Sequence, residues 1–302
     1  MKIKRFGSGQ SEPKRCVISL GVGKKVFSDS VHRLGESLES VGFSGDFMFW
    51  DEALPPESPQ HFEAPFAFKT HCFYTAQTLG YEQILWMDSA CVAIRPLDEV
   101  FNQISRHGYA LFNNNYEQMM GQWISDEALI RNGMSRDQAM LIPEIPCSVI
   151  GLDLRSELGR AFLDQWHQIM ADGLTARGTS QPIPDWNHYQ AIFWNRNHCI
   201  STDPRCKGHR CDQPAAGIVA HRLGMLPYAD DLRDVHYPAR PVNRNTSILH
   251  HREFGESITP LSQIHRRVFI DTYLSPPLRS IRHLRQLTRK VAQRSGWIAD
   301  VD

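Results

Sequence analysis

Two carboxylates in this sequence stand where carboxylates do chemistry. Asp88 directly follows the apolar run Ile84-Leu85-Trp86-Met87, which is too short for a helix and reads as a fully buried strand. A carboxylate at the carboxyl end of such a strand lies where open α/β sheets bind ligands, in the crevice beyond the strand ends. The plain alternative is that it caps the next turn. Asp212 heads a helical pattern over residues 215–223, a place favoured for a carboxylate by the exposed amides and the helix dipole. Close by, His198, Cys199, Cys206, His209 and Cys211 raise the question of zinc. The spacing argues against it, since no CxxC pair is present.

The elements that must position these groups follow from apolar periodicity. Residues 16–20 and 46–50 read as buried strands, and Val31, Leu34, Leu38 and Val41 give the stretch between them helical spacing. Strand, helix, strand at this distance predicts a βαβ unit and a parallel sheet. A helix carrying Phe68, Cys72, Phe73, Ala76 and Leu79 then ends at Gly80, before the strand that leads to Asp88. Further on, the pattern predicts a helix over 97–105 and a strand over 109–112. The strand ends in Asn113-Asn114-Asn115, amides that serve a turn or pair with sugar hydroxyls. Ser125 reads as the N-cap of a helix running through Arg131. A strand over 146–153 and helices over 157–170 and 186–194 complete the series.

Composition bounds the class. The chain has 302 residues, 41 % hydrophobic and 22 % charged, with no net charge, so it is long enough for a sizeable core and ordinary for a globular protein. Seven cysteines at irregular spacing are no disulfide framework and point to a reducing compartment, the cytoplasm. The N-terminal residues are basic without an apolar run behind them, unlike a secretory signal. No window supplies the ~20 apolar residues that span a bilayer. Charge is uneven: residues 265–294 hold eight Lys/Arg against one acid, Asp271, hence +7. There Leu278, Ile281, Leu284, Leu287 and Val291 alternate with Arg279, Arg282, Arg285, Arg289 and Lys290, the pattern of a basic amphipathic helix. Such a helix packs on its own domain, lies on an anionic membrane or grips nucleic acid. Nucleic acid is the poorest of the three, because no aromatic residue interleaves the charges before Trp297.

The segment from Gly80-Tyr81 through Arg95-Pro96-Leu97, centred on Asp88-Ser89-Ala90, resembles the metal-site region of GT-A-fold, nucleotide-sugar-dependent glycosyltransferases. Those enzymes have a second acid where this chain has Ala90. His209-Arg210-Cys211-Asp212-Gln213 is similar to the His-Arg-His-Asp-Gln signature of a glycosyltransferase-like group, with Cys211 in place of the second His. The stretch Ile248-Leu249-His250-His251-Arg252-Glu253-Phe254-Gly255 resembles the late strand whose histidine completes the metal site, and His250 matches it best.

The resemblance implies an α/β, GT-A-like (Rossmann-like) fold, with a mostly parallel twisted sheet flanked by helices and a C-terminal helical extension. The expected division is a flexible arm over 1–15, a catalytic domain over 16–258 and the basic extension over 259–302. It implies transfer of a sugar from a nucleotide-diphosphate sugar to a hydroxyl acceptor, a glycan or lipid-linked glycan. Asp88 and His250 would hold Mn²⁺ or Mg²⁺, a cation suited to the diphosphate. Without metal, the leaving-group charge would fall to Lys69, Arg95 or Arg210. The donor would lie over Gly21-Val22-Gly23 and against Lys69, Asp88, Ser89, Ala90, Arg210 and Gln213. Asp212 is the first candidate for the carboxylate at the reacting sugar, and Asp126 the second. The basic tail, residues 278–294, would allow peripheral contact at the inner face of a membrane. The rival reading is a binding protein on the same scaffold, with Ala90 and Cys211 as marks of lost catalysis.

Overall fold

The apolar run before Asp88 forms an inner strand of a six-stranded sheet in the computed structural model, which describes residues 1–7, 13–113, 118–226, 235–236, 242, 246–253 and 255–274. The strands are β1 (Lys2–Phe6), β2 (Arg15–Leu20), β3 (Gly45–Trp50), β4 (Gln83–Met87), β5 (Cys91–Ala93), β6 (Tyr109–Leu111), β7 (Val149–Asp153), β8 (Val235–His236) and β9 (Ile248–His250). Across the main sheet their order is β1-β3-β2-β4-β7-β6. Strand β2 pairs in parallel with β3 and β4, whereas β7 runs antiparallel to both β4 and β6. Strands β2, β3, β4 and β6 therefore point one way, and only β1 and β7 oppose them. This is the mostly parallel α/β sheet that the sequence predicts.

The helices are α1 (Lys25–Ser40), α2 (Phe68–Thr78), α3 (Asp98–His107), α4 (Asp126–Arg131), α5 (Arg136–Ala139), α6 (Glu157–Ala171), α7 (Leu174–Arg177), α8 (Trp186–Phe193), α9 (Asp212–Arg222) and α10 (Leu261–Phe269). Side chains alternate across a strand, and each face of the sheet gets its own helical layer. Leu85 and Met87 pack with Val31 and Leu34 of α1 and Phe101 of α3. Ile84 and Trp86 face the other way, into Phe73 of α2, Trp166 of α6 and Ile218 of α9. Because both faces are covered, β4 reads as a continuous apolar run rather than an alternating one.

Residues 1–15, expected as a loose arm, include an edge strand. Strand β1 pairs antiparallel with β3, Lys2 opposite Phe49 and Phe6 opposite Gly45. Phe6 is buried against Phe43, while Lys2 and Lys4 bind Asp51 at 2.7 Å and Glu39 at 3.0 Å. Lysines on an outer strand keep that edge solvated and protect it from pairing with another chain. The same charges hide the strand from a hydrophobicity reading.

A second, smaller sheet has the order β5-β9-β8. Its antiparallel ladder sets Cys91 opposite His250, and His251 donates its backbone N–H to Ala90 O at 2.8 Å. Helix α10 packs Ile264 and Val268 against Val92 and Leu249 of this sheet, so the expected extension begins as part of the domain. The basic stretch 278–294, with its membrane and nucleic-acid readings, lies outside the described residues. Among the described residues, no helix is long and apolar enough to cross a membrane.

Candidate active site

Parallel register brings the ends of β2 and β4 to one edge of the sheet. Ile18 is level with Trp86, so the turn Gly21-Val22-Gly23 opens beside Asp88. Gly21 must be glycine, because a Cβ there would lie 2.3 Å from Phe27 O of α1. Gly23 is exposed and has a φ of +108°, backbone that favours glycine. From the other neighbour of β4, Ser148 O just before β7 accepts the Asp88 N–H at 2.8 Å. Strand β9 and the loop after Asp88 bring His250 to the same mouth.

Beneath this edge lies a buried ammonium. Lys69, on the inward face of α2, is 3 % exposed, with Nζ 2.7 Å from Asp212 Oδ2 and 3.0 Å from Asp88 Oδ1. Nζ also donates to Cys147 O at 2.7 Å. The rings of Phe66 and Trp86 flank it, each centroid at 5.3 Å. Burial pulls the Lys69 pKa down, but the Asp212 and Asp88 carboxylates outweigh it and raise it. Asp212 responds to opposed effects: burial and the nearby Asp88 raise its pKa, Lys69 pulls it down, and the net direction is upward.

The two carboxylates differ in access. Asp212 is buried at the first turn of α9, its side chain 5 % exposed, whereas that of Asp88 is 31 % exposed at the mouth. Trp86 Nε1 donates to Asp88 Oδ1 at 2.7 Å and fixes its orientation. Burial depresses the pKa of His250, Asp88 opposes that effect, and the Arg252 and Lys69 cations add to it.

The donor set does not suit a divalent cation. Asp88 Oδ1 already faces an indole N–H and an ammonium, and Ala90 offers no second carboxylate. Hard cations need oxygen ligands, and the only second protein ligand expected is an imidazole. Among the described residues, no group of three His, Cys, Asp or Glu side chains is placed to hold a metal ion. Of the expected pair, Asp88 lies 3.0 Å from Lys69 Nζ, and the charges of both act on His250.

Other expected residues stand elsewhere or do other work. Ser89 and Ala90 form the loop between β4 and β5, with Ala90 O bound to His251 N–H. Gln213 adjoins Asp212, and its Oε1 is buried without a hydrogen-bond partner among the described residues. The Arg210 guanidinium lies 3.5 Å above the Trp123 ring and donates to Glu144 at 2.7 Å and Gln118 at 2.6 Å. That cation is occupied within the fold. Asp126 opens α4 and binds Arg136 at 2.6 Å and the Ser201 hydroxyl at 2.9 Å, while Ser125 caps the helix as expected. Gly151 of β7 is glycine because a Cβ there would meet Ile104 of α3 at 2.5 Å.

Nor do the zinc-like residues gather. The buried His209 accepts from Ser125 N–H at 3.3 Å and, through Nε2, meets Thr175 O at 2.9 Å. Cys206 Sγ points to Ile124 O and Cys211 Sγ to the Tyr189 hydroxyl. Burial lowers the His209 pKa to about 4, so the ring is a neutral brace among α4, α7 and the segment before α9.

Two residues were missed at the sequence level. Arg33 of α1, 1 % exposed, donates to Glu253 and to Thr259 O at 3.0 Å and so ties down the segment after β9. Arg252 is exposed at the mouth, and its charge reaches both His250 and Tyr189.

No known protein family matches the sequence, and no curated protein does. Several solved structures are similar in fold. A glycosyltransferase involved in glycosylation of the major capsid of PBCV-1 is 12 % identical, with 85 % of this chain and 100 % of that chain covered and a TM-score of 0.38. Mouse xyloside xylosyltransferase 1 is 12 % identical, with 82 % and 100 % covered and a TM-score of 0.44. Core-mannan synthase A from Aspergillus fumigatus, in an Mn/GDP form, is 12 % identical, with 71 % of each chain covered and a TM-score of 0.34. The likeness to these proteins is one of fold.

Proposed function

We propose that this chain is a glycosyltransferase that moves a sugar from a nucleotide-diphosphate sugar to a hydroxyl acceptor. One observation carries the reading: Asp88 and Asp212, far apart in sequence, share the buried ammonium of Lys69 at the carboxyl edge of the sheet. That edge is where α/β sheets bind ligands, beside the glycine turn after β2. The base and ribose are assigned to the Gly21-Val22-Gly23 turn and the sugar to the space between Asp88 and Asp212. In the reaction, the acceptor oxygen bonds to the anomeric carbon, and the bond from that carbon to the diphosphate oxygen breaks with its electrons.

Each residue then has a task. Asp212 is the carboxylate beside the reacting sugar, its raised pKa suiting a group that handles a hydroxyl proton. Lys69 cancels one of two carboxylate charges that would otherwise repel the diphosphate. The exposed Arg252 is the cation we assign to the departing phosphates, since Arg210 is held by Glu144. Gln213 offers to a sugar hydroxyl its Oε1, which has no hydrogen-bond partner among the described residues. A reducing compartment, the cytoplasm, suits seven unpaired cysteines.

The test is calorimetric titration with several nucleoside diphosphates, followed by donor hydrolysis and transfer. Asp212→Asn should keep nucleotide affinity and lose turnover. Nucleotide binding with no turnover for any donor would instead favour the non-catalytic binding protein.

A further inference from the structure

An aromatic shelf extends outward from Asp212. Tyr189 of α8 places its hydroxyl 3.5 Å from the sulfur of Cys211, the residue before Asp212. Asp212 and Arg252 both act on that hydroxyl electrostatically. Trp186, one helical turn earlier, stacks on Tyr189 with centroids 5.0 Å apart and planes at 23°, yet is 56 % exposed. Phe62 and His61 close the inner side, His61 lying 5.1 Å from Tyr189 and 5.2 Å from Phe66. Phe66 in turn flanks Lys69. An unbroken series of rings thus joins solvent to the carboxylate site.

We propose that this shelf binds the acceptor and that the acceptor is a carbohydrate whose pyranose rings stack on Trp186 and Tyr189. The inference rests on the transferase reading and deepens it. An aromatic face is electron-rich, and the apolar face of a β-linked pyranose presents C–H bonds to it while the hydroxyls point to the rim. The rim here is polar: Asn187 and His188 project from exposed positions of α8, His188 lying 2.9 Å from the exposed Asp185 carboxylate, and on the inner side His61 Nε2 is shielded without a hydrogen-bond partner among the described residues. A shielded polar atom of this kind carries an unrepaid desolvation cost until a hydroxyl takes it. A membrane surface would call for a cluster of basic side chains beside the aromatics, and α8 contains neither Lys nor Arg and is capped by the exposed acid Asp185; Arg252 by itself is not such a cluster.

The experiment uses the full chain with cellotetraose and chitotetraose as probes, read by ligand-observed NMR and calorimetry. Phosphatidylglycerol vesicles and nucleoside diphosphates are titrated in parallel. At least one oligosaccharide should bind, Trp186→Ala should weaken it by about tenfold or more, and Trp186→Phe should restore most of the affinity. Nucleotide affinity should be the same in all three proteins. No oligosaccharide binding, or binding indifferent to Trp186→Ala, would overturn the shelf and leave the transferase reading standing if nucleotides still bind. Vesicle binding lost in Trp186→Ala without oligosaccharide binding would overturn it in favour of a lipid surface. Loss of nucleotide binding in the unmodified chain would instead remove the transferase reading itself.

Discussion

Phe66 and Cys211 share an unusual backbone: both have positive φ, 66° and 57°, though neither is glycine. Each leads into the helix that carries one half of the buried ion pair, Lys69 on α2 and Asp212 on α9. Such conformations cost of order 1–3 kcal/mol and persist where surrounding structure enforces them, often at functional sites. Comparing Cys211→Gly with Cys211→Ala isolates the strain, since both lose the contact with Tyr189. The glycine variant should be more stable by about 1 kcal/mol in urea denaturation. Equal stability, or a more stable alanine variant, would mean that Cys211 stores no strain.

Lys69 supplies the sharpest stability test. Lys69→Met leaves two carboxylates facing each other without a cation and should cost about 3–5 kcal/mol, as breaking a buried pair does. Adding Asp212→Asn should recover much of that stability, because no uncompensated buried charge remains, while turnover stays lost. Denaturant midpoints for the single and double variants decide the matter. Additive losses would show that the pair is not coupled.

The disposition of Asp88 bears on cations. With an ammonium 3.0 Å and an indole N–H 2.7 Å from the same oxygen, a divalent ion must displace a resident charge before it can bind. Nucleoside-diphosphate affinity should therefore differ by no more than about twofold between EDTA and Mn²⁺. A strong dependence on Mn²⁺ in calorimetry would show that oxygen ligands other than Asp88 hold the metal.

Much of this arrangement is legible before any coordinates. The run Ile84-Leu85-Trp86-Met87 forms a buried strand because both of its faces are covered, and Asp88 falls at its carboxyl end. What stays hidden is charge inside the fold. Lys69 shares the three- and four-residue spacing of Cys72, Phe73 and Ala76, all buried on α2, and that register was the available signal. Arg33 lies likewise among the buried positions of α1. Hydrophobicity reads both as solvated, because it does not see the carboxylates that distant segments bring to meet them. Strand β1 was hidden for the converse reason, its lysines being solvated at a sheet edge.

His209 makes stability depend on pH, and the sign can be worked through. Burial lowers its pKa from the ordinary 6.5 to about 4, so between those values the unfolded chain takes up a proton that the folded chain refuses. Stability is therefore complete above pH 6.5 and falls as the pH drops toward 4, by on the order of 3 kcal/mol in total. The neutral ring is required because Nδ1 accepts from Ser125 N–H while Nε2 donates to Thr175 O. His209→Gln should be less stable at pH 7, since an amide cannot span both partners as the ring does. Its stability should also change less between pH 7 and pH 4.5, because the titrating group is gone. Urea midpoints at the two pH values provide the comparison, and a variant with the parent's pH dependence would assign the acid sensitivity to another group.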